Sequence, residues 1–164
     1  MNRKSLNKLN KYFSDIVPKE HSFKINKDIL DPYWLVGFVD AEGCFYIKLK
    51  KTKFNSIRFY LAFRLTQHSR NLLLMKNIIS FLNCGSIELS NKTAKLVVNK
   101  FSDNINKIIP FFNKYPLIST KRLDFQYFCK VSSILKEKKF LSEEDILKIQ
   151  DIKFNMNRGR KDFE

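Results

Sequence analysis

The fold that this 164-residue sequence predicts is α+β: one antiparallel four-stranded sheet in the order α-β-β-α-β-β-α, with additional C-terminal helices. Three observations predict it. Apolar and polar residues alternate with a period of two along neighbouring runs, which is how half-buried strands read. Segments with helical spacing separate the two pairs of runs and follow the second. The composition, 44% hydrophobic with 16 Phe, suffices for one self-supporting core at a length that fits one domain.

Residues 1–30 are rich in Asn and Lys and only patchily apolar (Leu6, Leu9, Phe13, Ile16, Val17), with Pro18 breaking any helix. They read as an N-terminal arm, a short helix and then an extended stretch, ahead of a single domain at 31–157. At Asp31-Pro32 a helix begins cleanly, because Asp is a good N-cap and Pro suits the first helical position. Gly43 ends it. The enclosed residues 33–42 are apolar on nearly every side until the last turn, which predicts a helix buried all round. In the next run Phe45, Ile47 and Leu49 alternate with Tyr46, Lys48 and Lys50. From Ile57 to Leu65 the same rule puts Phe59, Leu61 and Phe63 on one face and Arg58, Tyr60 and Arg64 on the other. The loop Lys51 to Ser56 closes this hairpin. Ser69 to Leu82 reads as an amphipathic helix closed by Asn83-Cys84-Gly85. Two shorter strands follow near 86–89 and 94–99 around the turn Ser90-Asn91-Lys92. Ser102 or Asp103 caps a helix to about Asn113, Tyr115-Pro116 breaks it, and another runs from about Lys121 to Lys136. Ser142-Glu143-Glu144-Asp145 is a capping-box sequence opening a last helix to about Met156, before a charged tail at 158–164.

Lys and Arg number 31 against 16 Asp and Glu, a net charge of +15, which predicts a polyanionic partner. The cations are spread between apolar residues through the chain and belong to a folded surface. On the two long strands they share a face with Tyr46 and Tyr60, where aligned like charges repel one another unless an anion lies across them. No run approaches the length of a membrane span, and the N-terminus lacks the apolar core of a signal peptide, so the expectation is a soluble intracellular protein with no membrane partner. Three cysteines, Cys44, Cys84 and Cys129, and two histidines, His21 and His68, have no zinc or disulfide spacing. The abundance of Lys, Asn, Ile and Phe, with 4 Gly and 4 Pro, is the bias of AT-rich coding DNA, common in organellar genomes.

The chemistry sits at the end of the first helix. Gly37 and Ala41 lie one turn apart, and small residues at that spacing let a second helix approach closely. If the helix pairs with a copy of itself, Leu35, Val36 and Phe38 or Val39 bury the contact and two Glu42 carboxylates meet. They meet at the negative ends of two helix dipoles, which is repulsive unless divalent cations lie between them. Hard-metal binding resolves it, and Mg²⁺ beside a basic sheet can activate water and stabilise the leaving oxygen of a phosphodiester. The competing interpretation is a buried helix with an acidic last turn.

Residues 35–43, Leu-Val-Gly-Phe-Val-Asp-Ala-Glu-Gly, resemble the nine-residue signature of the LAGLIDADG homing endonucleases, matching at Leu35, Gly37, Asp40, Ala41, the acidic eighth position Glu42 and Gly43. The family's α-β-β-α-β-β-α core agrees with the element order read above through about residue 136. Thr66-Gln67 resembles the family's strand-end pair, which implies that Gln67 helps order the attacking water. The stretch 113–124 resembles the segment bearing a basic residue near the scissile phosphates; Lys121 is chosen for it, with Ser119 or Arg122 in neighbouring registers. The resemblance implies that the open sheet face lies in the DNA major groove. Tyr46, Lys48, Lys50, Arg58, Tyr60 and Arg64 then become base or phosphate contacts, joined by Glu88, Ser90 and Lys95 of the second hairpin.

One signature is present where a chain acting alone needs two. The resemblance therefore implies a homodimer on a pseudo-palindromic double-stranded target, with Leu35, Gly37, Phe38 and Ala41 at the interface. The arm from Leu6 to Leu30 resembles the linker ahead of the second half in two-motif fungal members, so pairing with another half stays open. The expected activity is double-strand cleavage with Mg²⁺, for which Mn²⁺ can substitute, by a mitochondrial or, less readily, chloroplast protein. Glu42 is the metal ligand and Asp40 a helix-end stabiliser. The alternatives are an RNA-binding maturase or inactive RNA-binding relative, which keep the fold without the chemistry, and a transcription regulator.

Overall fold

Asp31 opens the first helix as its sequence requires: its carboxylate accepts the backbone N–H groups of Tyr33 (2.8 Å) and Trp34 (3.0 Å), and Pro32 occupies the first helical position. The computed structural model describes residues 31–51, 57–138 and 140–157; the expected N-terminal arm, most of the first hairpin loop and the charged tail lie outside them. Helix α1 (Pro32–Glu42) leads without a loop into strand β1 (Gly43–Lys51), which pairs antiparallel with β2 (Ile57–His68). A single 3-10 turn, Ser69–Asn71, precedes α2 (Leu72–Leu82). Strands β3 (Ser86–Leu89) and β4 (Thr93–Val98) form the second hairpin, and the sheet order is β1-β2-β4-β3, all antiparallel. The chain then forms α3 (Phe101–Asp103), a π-helical turn (Asn104–Ile108), α4 (Ile109–Lys114), α5 (Lys121–Glu137) and α6 (Glu143–Phe154).

Gly43 ends α1 for a reason other than the usual left-handed cap. Its backbone is extended (φ −75°, ψ 156°), and a Cβ there would lie 2.6 Å from both Val39 Cγ1 and the Val39 carbonyl. Glycine is needed because helix and strand join at that close approach. The expectation of a helix buried all round is also corrected. Leu35, Val36 and Val39 are buried, whereas Tyr33, Trp34, Gly37, Ala41 and Glu42 are exposed in the chain by itself. One chain has only one face of α1 to cover.

The helices cover one sheet face and share an aromatic core with it. Phe45 sits at its centre, with the rings of Phe63, Phe112, Phe125 and Phe128 at centroid distances of 5.1–5.5 Å. The helix expected to start at Ser102 or Asp103 starts at Phe101 after Lys100, which makes no side-chain cap, and its middle widens into the π turn. Asn104 explains the position of that turn. Fully buried, its Nδ2 donates to the carbonyls of Leu61 (3.2 Å), Val98 (3.2 Å) and Lys100 (3.1 Å), tying the helix to β2 and β4. Hydrophobic periodicity carries no sign of such a pin.

The capping box of α6 forms as expected, closed by Asp145. Ser142 Oγ accepts from the Asp145 N–H, while the Asp145 carboxylate accepts from the Ser142 N–H (3.0 Å) and from Lys138 Nζ (2.6 Å). The Lys138 bond, ahead of the Ser142 bonds, holds the Asp145 carboxyl down from 3.8 to about 2. Its folded-state value is depressed, so this contribution to stability is complete above pH 3.8 and disappears as pH falls towards 2. Thermal melts across that window should show wild type losing stability with acid, and Asp145→Asn should be less stable at neutral pH with a flatter acid limb.

Candidate nucleic-acid interface and acidic centre

The register of the sheet gathers the expected DNA-facing residues on the side that the helices leave open. Lys50 lies opposite Arg58, Lys48 opposite Tyr60, Tyr46 opposite Ala62 and Cys44 opposite Arg64. Across the sheet, Thr66 faces Lys95, and Lys95 faces Glu88. With a side-chain period of two, these residues share one surface. Lys48, Lys50, Arg58, Tyr60 and Glu88 are exposed; Tyr46, Arg64 and Lys95 are half-buried. Five cations and one carboxylate make the surface basic, with the carboxylate set against Lys95. Ser90 stands apart: it lies in the turn beyond β3, and its Oγ is 2.7 Å from Thr93 Oγ1.

Arg64 is held in place. Its guanidinium lies over the Tyr46 ring, 4.9 Å from the centroid, and donates to the Tyr46 hydroxyl at 2.9 Å. Lys48 Nζ approaches the same ring at 5.5 Å. Arg64 Nε is buried with no hydrogen-bond partner. A cation with a spare buried donor is set to gain from an anion, since an unmade hydrogen bond is costly.

The acidic centre lies where α1 meets β1. Glu42 is the last residue of α1 and exposed, next to Gly43. Lys121, the first residue of α5, donates from Nζ to the Gly43 carbonyl. The loop before α5 is fixed by Asp40, whose carboxylate accepts from the Ile118 N–H (3.0 Å), the Ser119 N–H (3.2 Å) and Ser119 Oγ (2.6 Å). Ser119 Oγ in turn accepts from the Lys121 N–H at 3.2 Å. Asp40 is thus more than a helix-end residue: it fastens the segment that carries Lys121. Of the three registers open for the basic residue, Lys121 is the one whose ammonium reaches the end of α1, while Ser119 is engaged by Asp40.

Gln67 lies two positions beyond Leu65, the partner of Gly43, and by alternation turns to the helical side of the sheet. Its Oε1 accepts from Asn71 Nδ2 at 3.1 Å, which leaves its own amide hydrogens to donate. Asn71 is a partner that sequence reasoning missed, and its spacing of four from Gln67 is the one signal that points to it. Cys44 contributes no thiolate: burial raises its pKa against the pull of Lys121 and Arg64, and its Sγ donates to Asn157 Oδ1 at 3.5 Å.

Glu42 suits a hard divalent cation by donor type, an exposed carboxylate oxygen at a helix end whose last carbonyls lack intrahelical partners. By number it is a single carboxylate. Among the described residues no three His, Cys, Asp or Glu side chains come together to hold a metal ion. The expected pairing interface lies on α1, one face of which this chain leaves uncovered. Of the residues expected at that interface, Gly37, Phe38 and Ala41 remain exposed or half-buried. Leu35, fully buried, is instead spent on the chain's own core with Val36 and Val39. Trp34, 43% exposed and stacked on Phe38 with centroids 5.2 Å apart, takes its place on the open face.

The pattern of the family described as LAGLIDADG endonuclease matches residues 35–132. "Probable intron-encoded endonuclease 3" of Neurospora crassa is 36% identical over 139 residues, which cover 82% of this chain and 26% of that protein. Among solved structures, the "I-SmaMI LAGLIDADG homing endonuclease bound to cleaved DNA" superimposes with a TM-score of 0.79 and 39% identity, covering 93% of this chain and 52% of that one. The same protein "bound to uncleaved DNA target in the presence of Calcium ions" gives 0.78. "Crystal structure of a homing endonuclease, I-TnaI" gives 0.73 at 32% identity, covering 79% of this chain and 90% of that one. This chain thus spans about a quarter of the Neurospora protein, about half of I-SmaMI and nearly all of I-TnaI. No helix among the described residues is long and apolar enough to cross a membrane.

Proposed function

Since this chain belongs to the LAGLIDADG endonuclease family, we propose that it forms one half of an endonuclease that cuts both strands of a long DNA site with a divalent cation, Mg²⁺ or in its place Mn²⁺. The observation that carries this reading is the junction of α1 and β1. There an exposed carboxylate, a fastened ammonium and a basic sheet face stand together beside an uncovered apolar helix face. Pairing through Trp34, Gly37, Phe38 and Ala41 with a second copy sets two Glu42 carboxylates side by side and two sheet faces along one duplex. Two-fold symmetry then calls for a pseudo-palindromic target. Pairing with a different half removes that requirement.

In this centre Glu42 supplies the anionic oxygens that hold the cation. When bound, the cation activates water and stabilises the leaving oxygen of the phosphodiester. Lys121 places a positive charge where negative charge accumulates on the phosphate, and Asp40 keeps it there through Ser119. Gln67, turned by Asn71, offers its amide hydrogens to the attacking water or the phosphate. Arg64 and its neighbours on the open face position the duplex, the cations on phosphates and guanine edges and Glu88 as an acceptor from cytosine. The intron-encoded relative and the AT-biased composition support an organellar, mitochondrial setting.

The test is incubation with a plasmid library of random inserts in Mg²⁺. The expected product is a double-strand break with short 3′ overhangs at one long site, lost with a chelator and restored by Mg²⁺ or Mn²⁺. Tight duplex binding without cleavage under any divalent cation would overturn the enzymatic reading, and a preference for structured RNA over duplex DNA would favour the maturase.

A further inference from the structure

Helix α6 lies beyond residues 35–132, the stretch that matches the family pattern, yet the chain at its end reaches the acidic centre. Ile149, Ile152 and Met156 are buried in the common core, so packing anchors that end. The helix itself is closed before Asn157, since the Asn155 N–H bonds to the Asp151 carbonyl (3.1 Å) and the Met156 N–H to the Lys153 carbonyl (3.3 Å). Asn157 follows with φ +54°, in the left-handed region that Asn enters more readily than most residues, and all its bonds go to other elements. Its Nδ2 donates to the Phe45 carbonyl (2.9 Å), its Oδ1 accepts from Cys44 Sγ (3.5 Å), and its N–H donates to Asp124 Oδ1 (2.9 Å). Cys44 and Phe45 directly follow Gly43, whose carbonyl receives the Lys121 ammonium, and Glu42 immediately precedes it. Asp124, buried, stands one turn after Lys121 in α5. One residue thus ties the start of β1, next to Glu42, to the helix turn that begins with Lys121.

We infer that Asn157 is a positioning residue for cleavage: from behind the acidic centre it fixes the separation between the Glu42-Gly43 junction and Lys121. The inference rests on the reading of Glu42 and Lys121 as catalytic groups. Such chemistry depends steeply on geometry, and a misplacement of about 1 Å costs about 10²-fold in rate. The direct tie, from the Lys121 ammonium to the Gly43 carbonyl, is a single bond at the end of a flexible four-carbon stem and does not fix that separation by itself. Asn157 supplies the missing constraint, because its short side chain and its backbone N–H hold a strand and a helix at once. The accessory helix α6 is then part of the cleavage apparatus, as the rigid arm that carries the clasp.

The test compares Asn157→Gly with wild type in the full chain. Glycine accepts the left-handed backbone and keeps the N–H bond to Asp124, so the fold persists while both side-chain bonds to β1 are lost. At saturating protein the single-turnover rate of duplex cleavage should fall about 10- to 100-fold, with the Kd for the same duplex unchanged by anisotropy. Amide hydrogen exchange should quicken at residues 42–46 and 118–122 and stay level in the β3-β4 hairpin. Asp145→Asn, which loosens the opposite end of α6 through its capping box, is the control for stability: it should lower the melting temperature and leave the cleavage rate unchanged. An Asn157→Gly protein that cuts at the wild-type rate, or that loses binding in step with cleavage, would overturn the inference. So would an equal loss of rate in Asp145→Asn, which would reduce the effect to general loosening, and so would unchanged exchange at 42–46 and 118–122 whatever the rate. A wild type that does not cut, with exchange at those residues still raised by Asn157→Gly, would sink the endonuclease reading and leave the positioning of the two segments standing.

Discussion

Glu42→Gln should abolish cleavage while leaving duplex binding and folding intact. The residue is exposed, so the fold loses no packed group by the change. Gln keeps the size of the side chain but removes the charge, and a neutral amide oxygen holds a hard divalent cation more weakly than a carboxylate does. The charge stabilisation that such a cation provides in phosphoryl chemistry is worth several kcal/mol, so the cleavage rate should fall about 10³-fold or more. Binding should stay level or tighten slightly, since a negative charge beside a polyanion has been removed. Plasmid cleavage and anisotropy on the same preparations read both quantities. A variant that still cuts at the wild-type rate would remove Glu42 from the mechanism; one that no longer binds would make it a structural residue.

Lys121→Ala separates the ammonium from the loop that carries it, and Asp40→Ala does the converse. Loss of Lys121 should slow cleavage and leave the loop in place, because Asp40 bonds the Ile118 and Ser119 N–H groups and Ser119 Oγ independently. Loss of Asp40 should slow cleavage too and, in addition, lower thermal stability modestly, by about 0.5–1.5 kcal/mol, since the exposed loop exchanges its bonds to the carboxylate for bonds to water.

Much of this arrangement is legible in the sequence, for reasons that differ from residue to residue. Asp31-Pro32 and Ser142 to Asp145 are local chemistry: the caps need only neighbouring N–H groups, so spacing alone locates α1 and α6. The open sheet face is legible because a period of two admits only one set of partners once Tyr46 and Arg64 are placed on it. What stays hidden depends on distant parts of the chain meeting. Asn104 reaches Leu61 and Val98, Asp40 reaches Ser119, and Asn157 reaches Phe45 and Asp124. No periodicity encodes such pairs. Leu35 departs from its expected place at the interface for a related reason. In an almost wholly apolar helix the pattern does not say which side faces the chain's own sheet, and only packing assigns Leu35 to the core and Trp34 to the outside.

That division of α1 makes Gly37→Leu the sharpest test of assembly. Within the chain nothing lies within 4 Å of where a Cβ would be at Gly37, and the residue is exposed. The substitution is therefore compatible with the fold, and it should stabilise the isolated helix by about 0.5–1 kcal/mol because Gly is a poor helix former. Across a paired interface the effect reverses. Small residues at 37 and 41 permit close approach, and an inserted side chain in a well-packed contact costs about 1–3 kcal/mol. Two-fold symmetry applies it twice, about 2–6 kcal/mol in all, which weakens association about 30-fold to 10⁴-fold. Sedimentation should show the variant as a folded monomer at concentrations where wild type is paired, with cleavage lost and a melting temperature that no longer rises with protein concentration as that of paired wild type does. Gly43→Ala is the contrasting control: there a Cβ meets Val39 at 2.6 Å inside the chain, so stability itself should fall. A Gly37→Leu protein that still sediments as a dimer and still cuts would place the partner on another face and leave the two Glu42 carboxylates apart.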